Sequence, residues 1–196
     1  MTITRAIGAG CNSIILLIVR GLALSRIHPN MLTLIGLLIN VFAAVLLARG
    51  EFLNGGLVVI GAGLFDMVDG RVARHTNQVT RFGAFFDSVL DRYSDLGLLM
   101  GLLVYYANID RFFYVVLTAV VMTGSVMVSY TRSRAENLIP TCKVGFAERP
   151  ERVVLLIIGA LFDRMAPALW ALAILSNLTV IHRMLYTFQQ AKALEE

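Results

Sequence analysis

Six apolar runs, separated by polar turns and one longer polar segment from Arg132 to Arg152, limit what this chain can fold into. They lie near residues 31–48, 52–70, 83–107, 112–131, 153–162 and 165–181. A helix crossing a bilayer needs ~20 predominantly apolar residues. The first four runs meet that length or nearly so, and the fifth does so only if its helix begins near Pro150. Hydrophobic residues make up 58% of the 196 and charged residues only 15%. Mean hydropathy is +0.76. A soluble domain of this length is not so apolar. The expected architecture is therefore an all-α membrane protein with six transmembrane helices and an N-terminal interfacial amphipathic helix. Without repeats or low-complexity tracts, it reads as one domain over 1–196, with a juxtamembrane helix at 1–26 and a six-helix bundle at 27–196.

Basic residues set the orientation. With the N-terminus in the cytoplasm and six alternating spans, fourteen of the seventeen Lys and Arg fall on the cytoplasmic side. Only Arg49, Arg111 and Arg164 fall on the other. That is the bias expected of a multi-pass protein of the plasma membrane. The net charge of +4 then reflects anionic headgroups and phosphorylated substrates rather than nucleic acid. Residues 1–26 set Ile3, Ile7, Ile14, Ile18 and Leu22 among Arg5, Asn12 and Arg20, the pattern of a helix lying in the interface. Arg20 interrupts the apolar run, which argues against a signal peptide, and a seventh span would upset the charge asymmetry. Cys11 and Cys142 both fall on the reducing cytoplasmic side, so no disulfide framework is expected.

Within this apolar chain, Asp66, Asp69, Asp87 and Asp91 stand out. Carboxylates at membrane depth are expensive and mark functional sites. Asp66 and Asp69 share one helix face, and Gly83, Asp87 and Asp91, spaced by four, share a face of the next. A short connection between the two helices would bring the acidic faces together. Four acids with few nearby bases leave excess negative charge, which calls for a bound cation. Their oxygens suit Mg²⁺ or Mn²⁺, which complete their coordination with water and substrate phosphate. Gly70, Ala73 and Gly83 would let a diphosphate approach the backbone, and Arg74 can pair with its charge. A lone Asp in a membrane is as well explained by a proton relay or an Arg partner; four together are not.

The pattern Asp66-x2-Asp69-Gly70-x2-Ala73-Arg74-x8-Gly83-x3-Asp87-x3-Asp91 resembles the signature of the CDP-alcohol phosphotransferase family at every fixed position. The length and flanking spans fit as well, so the resemblance covers nearly the whole chain. It implies an enzyme with six transmembrane helices, acting as a homodimer, that joins a CDP-linked lipid or alcohol to a second alcohol and releases CMP. By position it implies that Asp66, Asp69 and Asp87 ligate metal, two ions in all, with Asp91 beside them in the metal set. It further implies that Asp91 is the general base on the acceptor hydroxyl. Spacing alone does not select the base among the four acids. Asp95, one turn beyond Asp91, reads equally as a supporting acid or as a salt-bridge partner inside the bundle.

Pro29-Asn30-x2-Thr33-x2-Gly36 resembles the family's first helix, which lies beside the cytidine. On that resemblance Asn30 and Thr33 join Asp69, Gly70, Ala73, Arg74 and Gly83 at the CDP-lipid; alternatively Asn30 is simply a helix cap. The acceptor is read from arginines. Ser129, Arg132, Arg149, Arg152, Arg183 and Tyr186 would gather at the level of the acids, and guanidinium binds phosphate with paired donors. Ordinary cytoplasmic bias explains Arg134 and Lys143 better than it explains Arg149 and Arg152. The segments Ser129–Glu136 and Glu148–Arg152 look like the prokaryotic branch that uses inositol phosphate as acceptor. The alternative acceptor is glycerol 3-phosphate, and an unphosphorylated alcohol ranks third.

A cation transporter is the competing class, but the internal repeats common in transporters are missing. A purely structural bundle has no use for four buried acids. The partners expected are therefore a CDP-lipid, a phosphorylated alcohol, the bilayer and a second copy of the chain. The active site would face the cytoplasm. His28, His75 and His182 lack ligand spacing, and Tyr105, Tyr106 and Tyr114 read as an aromatic belt at the outer interface.

Overall fold

The computed structural model describes residues 29–75 and 80–195, the side chains of residues 29, 67–75 and 195 apart. The expected interfacial helix at 1–26 lies outside the described residues, as does Cys11. Among those described there are six helices and no strand: α1 (Pro29–Ala48), α2 (Phe52–His75), α3 (Arg81–Asn108), α4 (Phe112–Ala135), α5 (Arg149–Leu161) and α6 (Met165–Glu195).

The turns form where the sequence marks them. Each of the three short turns holds a residue in the left-handed region: Gly50 at φ 79°, Asp110 at φ 55° and Asp163 at φ 51°. Gly and Asp are among the residues that tolerate this conformation. Thr80 caps α3, its hydroxyl accepting from the Gly83 amide at 2.9 Å. Pro150 sits in the first turn of α5, where a missing N–H is tolerated, so that helix does begin early.

Three helices, α1, α4 and α6, are long and apolar enough to cross a membrane by length and composition. The sequence led us to expect six. The others miss for physical reasons. The apolar part of α2 covers only Phe52–Asp66, beyond which Asp69, Arg71 and Arg74 enter. α3 carries Arg81, Asp87, Asp91, Arg92 and Asp95 between its start and its midpoint turn. α5 has 13 residues, about 20 Å of helix against ~30 Å of hydrocarbon. Large apolar side chains such as Leu38, Phe42, Val116, Trp170 and Ile174 face outward, as a lipid-embedded bundle requires.

α1 packs on α2 and α3, α4 on α3 and α6, and α5 on α2 and α6. The core they share includes Leu47, Val59, Leu102, Val121, Leu169 and Leu172. Close approach depends on small residues. A Cβ on Gly101 of α3 would lie 2.3 Å from the Ala44 carbonyl oxygen of α1, so no larger residue fits. This contact ties the helix carrying Asp87 and Asp91 to the helix carrying Asn30.

Two stretches depart from expectation. α6 continues 14 residues past the expected end at 181, and there Tyr186 and Ala191 pack on a satellite cluster of Ala135, Ile139 and Cys142. Tyr106 is 6% exposed and stacks on Tyr114 with ring centroids 4.9 Å apart. Tyr105 meets Phe52 edge-on at 4.8 Å. These tyrosines bind the α3–α4 turn to the α1–α2 turn as well as flanking the apolar zone.

Candidate active site

The last turns of α2 and the first turns of α3 bring the acids together. Asp66 and Asp91 are both half-buried, Asp87 is exposed, and Asp95 is 9% exposed. Asp66 and Asp91 each lie within electrostatic reach of Asp87 and Asp95. Asp69, Gly70, Ala73 and Arg74 continue α2 beyond Asp66, and their side chains lie outside the described set. α1 closes one side. A Cβ on Gly36 would stand 3.0 Å from Asp66 Oδ1, and one on Gly83 would stand 3.4 Å from Asn30 Oδ1. Two motif positions 53 residues apart, Asn30 and Gly83, therefore face each other. Asn30 lies in the first turn of α1.

A guanidinium occupies the centre of the acids. Arg149, at the start of α5, reaches Asp66 Oδ2 at 3.3 Å, Asp91 Oδ1 at 3.0 Å and Asp95 Oδ1 at 3.3 Å. Among the described residues, no three of His, Cys, Asp and Glu stand close enough to hold an ion together. The guanidinium stands between the carboxylates, and Asp69 is not among the side chains counted. The donor set still fits a hard divalent cation: carboxylate oxygens from two helices already converge on one positive group.

Asp95 accepts from Arg149 and, at 2.9 Å, from Arg152 Nη2. It is thus a salt-bridge partner inside the bundle. Arg152 also donates to the Ala147 carbonyl at 3.2 Å. Two open spaces adjoin this network. One is a groove of about 550 Å³ walled by Val59, Ile60, Leu64, Leu98, Val153 and Ile157, with Asp66, Asp95 and Arg149 at its polar end. The other is a cleft of about 860 Å³ lined by Arg92, Arg132, Arg149, Arg152 and Arg183 with Ser129, Ser133, Glu136 and Glu148. Arg149 and Pro150 belong to both walls.

Of the residues expected at the acceptor, Ser129, Arg132, Arg149, Arg152 and Arg183 line the cleft. Tyr186 does not; it packs on the Ala135–Ile139–Cys142 cluster one turn away. Arg183 is 1% exposed and holds the α4–α5 connection together. It donates to the carbonyls of Val144 at 2.8 Å and Val128, and to Glu148 Oε1 at 3.1 Å. Arg132 reaches that same oxygen at 3.2 Å and Glu136 at 3.1 Å.

Thr179, in the apolar stretch of α6, was not singled out in the sequence. Its hydroxyl accepts from the amides of Phe146 and Ala147, at 3.0 and 3.1 Å, while donating to the Leu175 carbonyl. Together Thr179 and Arg183 pin the segment that delivers Glu148 and Arg149. One threonine in an apolar helix carries no periodic signal, so only the fold reveals it.

The family model described as CDP-alcohol phosphatidyltransferase matches residues 26–188. The chain belongs to this family. Its members are transferases, which sets the transporter alternative aside. The archaetidylinositol phosphate synthase of Pyrococcus horikoshii is 39% identical over 176 residues, 89% of this chain and 89% of that one. The phosphatidylinositol phosphate synthase of Mycobacteroides abscessus is 35% identical over 165 residues, 80% of this chain and 75% of that one. The fold is similar to that of the Mycobacterium tuberculosis phosphatidylinositol phosphate synthase crystallised with CDP-DAG bound. There the TM-score is 0.84 and the identity 32%, with 90% of this chain and 94% of that one covered. It is also similar to the same enzyme in complex with manganese and citrate, at a TM-score of 0.81 and 34% identity, covering 87% of each chain. With its outward apolar faces and its family, this CDP-alcohol phosphatidyltransferase is an integral membrane protein.

Proposed function

We propose that this enzyme moves the phosphatidyl or archaetidyl group of a CDP-linked lipid to inositol 1-phosphate, releasing CMP in phospholipid biosynthesis. One observation carries the reading: an apolar groove and a five-arginine cleft meet at the acid cluster, with Arg149 in both walls. The groove suits a lipid chain. The cleft suits an acceptor that carries its own phosphate, which an unphosphorylated alcohol would not need. The inositol phosphate synthases among the relatives favour inositol phosphate over glycerol 3-phosphate.

Asp66, Asp69, Asp87 and Asp91 would hold Mg²⁺ or Mn²⁺, two ions on the family's pattern; the relative crystallised with manganese supports this. Bound there, the ions neutralise diphosphate charge and stabilise the departing nucleotide. Asn30, Thr33, Gly70, Ala73, Arg74 and Gly83 would bind the CDP portion, with Gly83 leaving the opening that Asn30 borders. Ser129, Arg132, Arg149, Arg152 and Arg183 would orient the acceptor phosphate. Asp91 takes the proton from the acceptor hydroxyl as its oxygen attacks the β-phosphorus in line. The new P–O bond forms as the bond to the CMP oxygen breaks, and CMP leaves with the electron pair.

The proposal extends to the whole chain. It acts as one domain with α1 to α6 embedded in the bilayer, α2, α3 and α5 sheltered by their neighbours. The arginine distribution places the acids on the cytoplasmic side of the plasma membrane, and the family's habit is a homodimer. The test uses detergent-solubilised full-length protein with CDP-diacylglycerol or its dialkyl counterpart, inositol 1-phosphate and Mg²⁺. CMP should be released, and EDTA should stop it. CMP release that needs no divalent ion would overturn the proposed role of the acids.

A further inference from the structure

Asp95 lies outside the eight-residue signature and does not line the arginine cleft, yet it holds two of the arginines that do. Its Oδ1 takes Arg149 Nε at 3.3 Å and its Oδ2 takes Arg152 Nη2 at 2.9 Å. These arginines are three residues apart on α5 and face the same way. Asp95 and Arg152 are 9% and 6% exposed, so this carboxylate and guanidinium meet almost without water. A buried ion pair of this kind contributes little net stability, because desolvation offsets attraction. What it does fix is direction.

Bound through Nε, Arg149 presents its two Nη atoms toward Asp91 and Asp66. Bound through Nη2, with Nη1 on the Ala147 carbonyl, Arg152 keeps one edge against the α4–α5 connection and lines the cleft with the rest. A cation taken up by Asp66 and Asp91 would displace the Nη contacts of Arg149 but not the Nε contact. Asp95 would then be the anchor that keeps Arg149 beside the reacting groups.

Resting on the reading above, we infer that Asp95 is a positioning residue for the acceptor phosphate: it orients Arg149 and Arg152 without lining the acceptor cleft. The variant Asp95→Asn keeps the shape and removes the charge. Its KM for inositol 1-phosphate should rise about tenfold or more, the scale of one charge-assisted hydrogen bond. KM for the CDP-lipid should rise less than that for the acceptor, since Asn keeps the shape that Asp95 gives the polar end of the groove. Asp95→Glu, which keeps the charge one methylene further out, should fall between Asn and wild type; it decides the matter if Asn fails to fold.

A variant with a lower melting temperature and an unchanged acceptor KM would overturn the inference and leave Asp95 structural. A collapse of kcat with both KM values intact would also overturn it, by placing Asp95 in the chemistry itself. Wild-type turnover separates this test from the acceptor assignment. If wild type uses glycerol 3-phosphate instead, the acceptor reading falls and the same KM comparison, run with that acceptor, still decides the role of Asp95.

Discussion

Arg149 Nη1 stands 3.0 Å from Asp91 Oδ1, so the acid assigned to proton transfer is already paired with a cation from another helix. The pairing joins the two halves of the site. Asp91 belongs to the acid motif proposed to bind metal and diphosphate, and Arg149 belongs to the arginine cleft. It also sets up a competition, because a metal ion and the guanidinium seek the same oxygens of Asp66 and Asp91.

Replacing Arg149 by Ala should therefore tighten Mn²⁺ binding to the substrate-free protein, by about tenfold for one displaced charge-assisted contact. Electron paramagnetic resonance of free Mn²⁺ reads this without turnover. The same variant should lose affinity for the phosphorylated acceptor. Unchanged Mn²⁺ affinity would mean that the guanidinium does not occupy the acid cluster in solution.

Asp91→Asn should still bind CDP-lipid and lose about 10²–10⁴-fold in kcat, the range for removing a general base. Binding is read by titration of the nucleotide and turnover by CMP release. Full activity in this variant would move the base elsewhere.

Much of this arrangement was legible in the sequence because it rests on periodicity. Apolar runs and turn residues located all six of the described helices, and spacing by four put Asp87 with Asp91 on α3. The early start of α5 was visible in Pro150. What stayed hidden depends on contacts across the chain. Asp95 and Arg149 are 54 residues apart, and nothing local says that the arginine reaches the acids as well as the cleft. Arg183 reads as a phosphate ligand by its charge, and nothing local says that its donors also hold Val128, Val144 and Glu148. Tyr106 and Tyr186 read as interfacial or polar-site residues by type, but they pack against apolar neighbours.

Gly36→Leu offers a test of how α1 shapes the acids. Even a Cβ at Gly36 would approach Asp66 Oδ1 to 3.0 Å, so a leucine should push that carboxylate aside. Activity should fall at least about tenfold, while the melting temperature drops by no more than overpacking of about 1–3 kcal/mol allows. Intact activity would show that Asp66 tolerates displacement and is not held to a fixed position by α1.

Thr179→Val should loosen the segment before α5. It leaves the Phe146 and Ala147 amides without their acceptor, a loss of about 1–3 kcal/mol. Limited proteolysis within residues 136–148 should speed up, and acceptor KM should rise with it, because Glu148 and Arg149 follow directly. Unaltered cleavage in that segment would show that the Arg183 and Arg152 contacts suffice to hold it.

The account turns most on why five arginines line one cleft beside the acids. The direct measurement is kcat/KM for CMP release with inositol 1-phosphate, glycerol 3-phosphate and free inositol, each with saturating CDP-lipid and Mg²⁺. Inositol 1-phosphate should lead, with free inositol lower by about a hundredfold or more, as the loss of several charge-assisted hydrogen bonds requires. Equal rates with free inositol and inositol 1-phosphate would contradict the account, because the arginine cleft would then have no part in choosing the acceptor.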